Sequence, residues 1–308
     1  MIDVLTMGRV GVDVYPLQVG VSLREVETFG KYLGGSPTNV AVAAARLGDR
    51  AAVITRTGAD PFGEFVHDAL RSYGVDDSFV TAVEGLPTPV TFCEIRPPDD
   101  FPLYFYRLPK APDLVIHPDE LPIAHIRQAR LFWATVTGLS AEPSRAAHFA
   151  AWQARDRKTH TVLDLDYRPM FWASAQDAMH QVRKALGHVT VAVGNLDEVE
   201  VATGTREPYE AGKALLDAGV ELAVVKQGGA GVLGMTATET IAVPPVEVEV
   251  VNGLGAGDAF GGALAHGLLA GWPLERTLRF ANTAGAIVAG RLACAPAMPT
   301  VEEVLARG

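Results

Sequence analysis

With 308 residues, 48% of them hydrophobic, the chain can bury one large core, which excludes a disordered protein. Its net charge of −10 and pI near 5.3 exclude a general affinity for nucleic acid or anionic membrane, so an anionic ligand has to be held by local Arg, Lys and backbone N–H groups. Cys93 and Cys294 stand far apart and match no metal-ligand spacing; they read as reduced thiols, as in a cytoplasmic protein.

Segment 1–8 lacks a basic stretch followed by a long apolar run, so no ordinary signal peptide is expected, and no apolar run is long enough to cross a bilayer. Residues 2–7 predict a short strand that ends at Gly8, and 10–29 alternate irregularly with Gly and Pro as partly covered β-structure does. Gly34-Gly35-Ser36-Pro37-Thr38-Asn39 then turns into an alanine-rich helix that stops at Gly48. A strand over 51–57, a helix over 61–73 and a strand over 79–83 follow. Between 87 and 110 the rhythm breaks: 90–95 and 103–107 read as two strands around the proline-rich stretch 96–102. We expect one domain over 1–308, with a small β-sheet lid built from about 12–33 and 88–110, because those segments hold too few residues for a second core.

After residue 121 the alternation resumes, with strands over 129–135, 161–165, 189–193 and 222–226 and helices over 144–155, 176–186, 196–203 and 209–218. Val246, Val248, Val250 and Val251 predict a last strand that leads into Gly253-Leu254-Gly255-Ala256-Gly257-Asp258. A helix then runs to Gly271 and another spans 274–289. The order predicts an α/β fold: a doubly wound, mostly parallel sheet flanked by helices, with its ligand site outside the carboxyl ends of the strands.

Four loops fall just after predicted strands and suit a phosphorylated ligand: 34–39, 164–168, 194–198 and 253–258. In the last, glycines bring the backbone close to a ligand and the first helical N–H groups form an anion site. Asp258 there reads in two ways, as a helix N-cap or as a base that takes a proton from a group attacking phosphate. Arg168 at a strand end either binds an anionic oxygen or is a surface residue that caps a helix or pairs with Asp166. Asn195 and Glu198 stand three apart at a helix start, facing a metal hydration shell or phosphate, or forming a capping box. Phe105 and Arg107 share one face of a strand, where they either cover a polar substrate with Arg107 on a carboxylate or form an ordinary amphipathic edge. Gly229-Ala230-Gly231-Val232-Leu233-Gly234 satisfies a dinucleotide pattern, yet a β-branched turn follows it instead of a helix, so that reading fails and a turn between two strands remains.

Together, Gly34-Gly35-Ser36-Pro37-Thr38-Asn39-Val40-Ala41 and Gly255-Ala256-Gly257-Asp258-Ala259-Phe260 resemble the two signatures of the ribokinase-like carbohydrate kinases, the phosphofructokinase B family. The resemblance covers essentially the whole chain. It implies a ribokinase-like fold and ATP- and Mg²⁺-dependent phosphorylation of a sugar hydroxyl, with a lid that mediates a homodimer. By motif, Asp258 matches the base, and the backbone of Gly255, Ala256 and Gly257 matches the anion hole. Asp13, Gly35, Ser36 and Asn39 match substrate binders, joined by Phe105, Arg107 and Arg168. Asn195, Glu198, Lys226, Gly228, Gly231 and Asn282 match nucleotide binders, with Glu198 reaching the metal indirectly.

Where the family carries Asp-Thr-Thr the chain has Asn252-Gly253-Leu254, which puts its monovalent-cation site in question. That change, with the 96–102 segment, Phe105-Tyr106-Arg107, Ala111-Pro112-Asp113-Leu114 and Asp166-Tyr167-Arg168-Pro169-Met170-Phe171-Trp172, looks most like the branch acting on 5-dehydro-2-deoxygluconate in myo-inositol catabolism. Arg107 and Arg168 suit a substrate with a carboxylate. The sister reading is a 2-keto-3-deoxygluconate kinase, followed by a neutral-sugar kinase; a non-catalytic sugar-acid or nucleotide sensor is the rival from outside enzymology.

Overall fold

The structure is a computed structural model that describes residues 1–307. Its strands are β1 (Val4–Met7), β2 (Gly11–Pro16), β3 (Phe29–Gly34), β4 (Ala51–Gly58), β5 (Val80–Val83), β6 (Val90–Cys93), β7 (Leu103–Tyr106), β8 (Leu131–Thr135), β9 (Thr161–Asp164), β10 (Val191–Asn195), β11 (Leu222–Lys226), β12 (Val232–Met235) and β13 (Thr240–Val243). The helices are α1 (Ser36–Arg46), α2 (Pro61–Ser72), α3 (Ile123–Gln128), α4 (Ser144–Arg155), α5 (Ala175–Leu186), α6 (Leu196–Thr203), α7 (Pro208–Asp217), α8 (Ala256–Leu269), α9 (Leu274–Ala289) and α10 (Val301–Leu305).

Nine strands form one sheet in the order β13-β12-β11-β10-β9-β8-β1-β4-β5, parallel except where β12 meets its two neighbours. Strands of a sheet covered on both faces are apolar throughout, and alternate residues feed opposite cores. Leu131 and Trp133 of β8 join the layer of α1, α2, α8 and α9, whereas Phe132 and Ala134 join the layer of α4 to α7. This is the doubly wound arrangement expected. Strand β1 lies between β8 and β4, where the strand order reverses, and a crevice opens at such a point beyond the carboxyl ends.

A separate four-stranded sheet, β3-β2-β6-β7, stands over that end. Its register aligns Tyr32, Asp13, Thr91 and Phe105 in one row and Lys31, Val14, Phe92 and Tyr104 in another. Neighbours in register share a face, so Asp13 and Phe105 look the same way. Tyr15 and Cys93 of this sheet, with Ile95 just past β6, pack with Phe101, Leu254 and Cys294 into a small third apolar cluster that joins the sheet to the segment before α8.

One expected strand is absent. Residues 244–250 have no regular structure, because Pro244 and Pro245 lack the N–H groups a sheet ladder needs. The glycine-rich 229–234 stretch instead leads into the β12–β13 hairpin, the two-strand turn that its β-branched sequel predicts.

Helices α1 and α8 pack closely because α8 carries glycine at the seam. A Cβ on Gly262 would stand 2.4 Å from the Ala43 Cβ, and one on Gly261 would stand 2.8 Å from the Trp133 ring. Gly262→Val is therefore expected to lower stability by about 1–3 kcal/mol through overpacking, as α1 is pushed off α8. Urea unfolding checks this; an unchanged midpoint would show that the seam has slack.

Candidate active site

Helix α8 starts on Gly255 as its N-cap, at φ 83°, and no side chain caps it. Glycine is required there twice over, since any Cβ would also meet the Cys294 Sγ at 2.6 Å. The N–H groups of Ala256, Gly257 and Asp258 consequently remain without intrahelical acceptors, at the positive end of the helix. Helix α1 begins in the same way on Gly35, at φ 104° and again without a side-chain cap.

Asp258 is not the N-cap. It occupies the third helical position, and its Oδ2 accepts from the Asn39 Nδ2 of α1 at 2.8 Å. Burial pushes its carboxyl above the usual range, opposed by the bonds from Asn39 and Ser36. The Asn39 Oδ1 is buried with no partner, an open acceptor beside Asp258.

On the small sheet, Asp13 accepts from the Tyr15 hydroxyl at 3.0 Å, and that oxygen lies 2.8 Å from the Cys294 Sγ under Gly255. Burial raises the Asp13 carboxyl to about 6, opposed by the Tyr15 hydrogen bond and by Arg9. Phe105 packs edge-on to Phe171 at 4.9 Å, and Arg107 lies over the same Phe171 ring. Both Oδ atoms of Asp113 hold the Arg107 Nη2, at 3.0 and 2.7 Å.

Arg168 takes the pairing its sequence left open, with Nη2 2.8 Å from the Asp166 Oδ1, while its Nε is buried without an acceptor. Burial alone would raise Asp166, but Arg168 and Arg9 outweigh it and hold this carboxyl low. Asp164, two residues earlier at the end of β9, is pushed up by burial.

On the other side of α8 lies a cleft of about 590 Å³, lined among others by Asn195, Lys226, Gly228, Gly231, Gly257 and Asn282. Burial works against the Lys226 charge, but Asp164, Glu198 and Asp258 outweigh it and keep the ammonium protonated. A Cβ on Gly257 would lie 3.3 Å from the Lys226 Nζ, so the cation stands over the helix start. Asn195 and Glu198 do form a capping box: Glu198 N donates to Asn195 Oδ1 at 2.9 Å, and Asn195 N to Glu198 Oε2 at 2.7 Å. Glu198 is thereby turned back on its own helix, behind the cleft wall. Asn282 donates to the Pro244 carbonyl at 2.7 Å, which fixes the strandless 244–250 segment as one wall.

The sequence assigned no role to Arg9, Asp113 or Phe171, nor to the Tyr15–Cys294 contact, although Asp113 and Phe171 lie in segments that carried the resemblance. Arg9 carried the same signal that singled out Arg168, a basic residue just after a strand. The other three are brought to the site only by folding.

The folded chain holds the Asp13 proton more tightly than an unfolded chain, whose carboxyl titrates near 3.8. That stabilisation is fully present below about pH 4 and is lost as pH rises through 6, an effect on the order of 3 kcal/mol. Asp13→Asn should then gain stability relative to wild type as pH rises from about 4 to 7. Denaturant unfolding across that range reads the difference, and a flat difference would count against a strained Asp13.

Comparison with known proteins agrees with this geometry. The model of the pfkB family carbohydrate kinases matches residues 1–301. Proteins named 5-dehydro-2-deoxygluconokinase from Shouchella clausii (strain KSM-K16) and Listeria monocytogenes serotype 4b (strain F2365) are 31% and 32% identical to this chain. Each alignment covers 99% of it, and 94% and 95% of the relative. A double-mutant fructokinase from Vibrio cholerae O395, solved with fructose, ADP and potassium, superposes with a TM-score of 0.87 at 26% identity, covering 100% of this chain and 98% of the other. A putative ribokinase II from E. coli, solved with ATP and Mg²⁺, superposes at 0.89 with 22% identity, over 99% and 98%. With the ribokinase-like fold and a glycine-started helix presenting Asp258, the chain belongs to the pfkB family of carbohydrate kinases.

Proposed function

We propose that this kinase transfers the terminal phosphoryl group of ATP to the terminal hydroxyl of a keto-deoxy sugar acid, with 5-dehydro-2-deoxygluconate as the substrate. The observation that carries the chemistry is Asp258 at the third position of α8, beside free helix N–H groups and bonded to Asn39. As the sugar hydroxyl attacks phosphorus, Asp258 accepts its proton, and its raised carboxyl pKa suits it to that task. The hydroxyl donates to the open Asn39 Oδ1 while it waits. Charge that develops on the moving phosphoryl oxygens is met by the N–H groups of Ala256 and Gly257 and by Lys226 above them.

The cleft fits a nucleotide: glycine backbone at Gly228 and Gly231, an ammonium at Lys226 and the Asn282 amide wall surround it. When bound with ATP, Mg²⁺ would neutralise charge on the phosphates; Asn195, which lines the cleft, would face its water shell, and Glu198 would act on it indirectly by holding the Asn195 backbone. Among the described residues no group of three or more His, Cys, Asp or Glu converges to hold a metal, so phosphate oxygens are its main expected ligands. A monovalent cation fits poorly at the departure from the family. Asn252 is fully buried, its Nδ2 donates to the Leu292 carbonyl at 2.7 Å and its Oδ1 accepts from Leu254 N at 3.0 Å. A neutral amide tied at both ends stands where a carboxylate ligand is needed, and no step here uses such an ion.

The acid substrate is supported by the names of the relatives and by the guanidinium groups under the small sheet, of which Arg168 keeps a free Nε. The 2-keto-3-deoxygluconate and neutral-sugar readings are the competing outcomes of the assay. ADP release is expected with 5-dehydro-2-deoxygluconate far above ribose or fructose; a preference for neutral sugars would sink the acid reading, and no turnover with any would favour a sensor. Asp258→Asn should lower kcat about 10²- to 10⁴-fold with nucleotide affinity retained; unchanged turnover would return Asp258 to a structural role.

In this reading the small sheet is a lid, and its other face is the surface of a cytoplasmic homodimer. That face bears Phe92 edge-on to Phe29 and Tyr106 at 5.7 and 5.6 Å, with Tyr106 65% exposed. Light scattering should report a dimer that Tyr106→Glu dissociates; a monomeric wild type would overturn it.

A further inference from the structure

Arg9 follows Gly8 out of β1, at the point where the strand order of the large sheet reverses. Its backbone is held: the carbonyl accepts from the Thr38 hydroxyl at 3.2 Å, and a Cβ on Gly35 would stand 2.4 Å from that oxygen. Its side chain, 11% exposed, lies 5.7 Å from the centre of the Phe105 ring. The charged partner it has is Asp166, with Nη2 3.5 Å from Oδ2, and its Nε is buried without an acceptor.

Arg168 approaches the other oxygen of the same carboxylate, and its Nε is unpartnered as well. Two guanidinium groups thus share one Asp166, and each keeps a buried Nε–H donor unmet beneath the small sheet. Buried donors of a charged group are satisfied in a working site, and a planar fork is matched by a carboxylate. Arg107 differs, because both oxygens of Asp113 already hold it. Arg9 also lies close enough to Asp13 and Asp258 to act on both carboxyl groups, which puts it on the acceptor side of α8.

We infer that Arg9 is a specificity-determining residue: with Arg168 it receives the carboxylate of the sugar-acid substrate, while Asp166 spaces the two guanidinium groups and Phe105 sets the plane of Arg9. The inference rests on the acid-substrate reading above and shifts the main burden of recognition from Arg107 to Arg9. A neutral sugar would leave both Nε donors unmet, so selectivity for the acid follows from the vacancy of these donors rather than from shape.

Calorimetric titration of the full-length protein with 5-dehydro-2-deoxygluconate and with its uncharged amide tests this. Wild type should bind the acid more tightly. Arg9→Gln should weaken the acid by about 10- to 100-fold and close most of its advantage over the amide. Arg9→Lys keeps the charge over Phe105 but loses the planar fork, and should recover only part of that advantage; it also decides the matter if Arg9→Gln does not fold. An undiminished preference for the acid in these variants, or an equal loss of both ligands, overturns the role of Arg9 and leaves the acid reading standing. A wild type that does not distinguish acid from amide overturns the acid reading, and this inference with it.

Discussion

The hydrogen bond from Asn39 to Asp258 is the contact on which the site depends, and it spans 219 positions of sequence. It exists because two helices start side by side on positive-φ glycines and then run together along a seam where α8 has no side chains. A Cβ at Gly262 would separate them, and Asp258 would lose the partner that orients it. Close packing of apolar helices, an unspecific force, is thereby converted into the placement of one buried carboxyl group beside the free N–H groups of a helix start.

The molecule is acidic overall yet handles anionic ligands, and the structure resolves this by concentrating cations at strand ends. Lys226 at the end of β11 stands over the start of α8, and Arg168 follows β9. Each is kept charged by buried carboxylates nearby, Asp164 and Glu198 for Lys226 and Asp166 for Arg168. Surface acidity then limits nonspecific association, while low dielectric around the site makes its few cations effective. The balance is uneven, with carboxyl groups such as Asp13 and Asp164 driven upward by burial. A site poised to receive negative phosphate holds strained charges before its ligands arrive.

The small sheet is tied to the chemistry by a short relay. Asp13 meets Tyr15, Tyr15 meets Cys294, and Cys294 fills the space that Gly255 leaves open. Asn252 fastens the adjoining turn to Leu292, and a Cβ on Gly253 would meet Phe101 of the 96–102 loop at 3.0 Å. The small sheet and the start of α8 are thus packed together through the third apolar cluster.

The alternation of strands and helices, the doubly wound sheet and both glycine turns were legible in the sequence, because backbone propensity, period and turn chemistry are local properties. So was the capping box of Asn195 and Glu198, which needs only a spacing of three. The run 246–251 misled, since β-branched residues promise a strand only where donors are present and Pro244-Pro245 removes them. Tertiary structure alone decided that Asp258 is bonded across to Asn39 instead of capping α8, that Asp113 engages Arg107, and that Arg9 and Arg168 share Asp166. The Asn39–Asp258 and Arg9–Asp166 pairs join distant segments, and Arg107–Asp113 and Arg168–Asp166, though close in sequence, are chosen among competing partners; which charge meets which is set by how the layers pack, a quantity no local stretch of sequence contains.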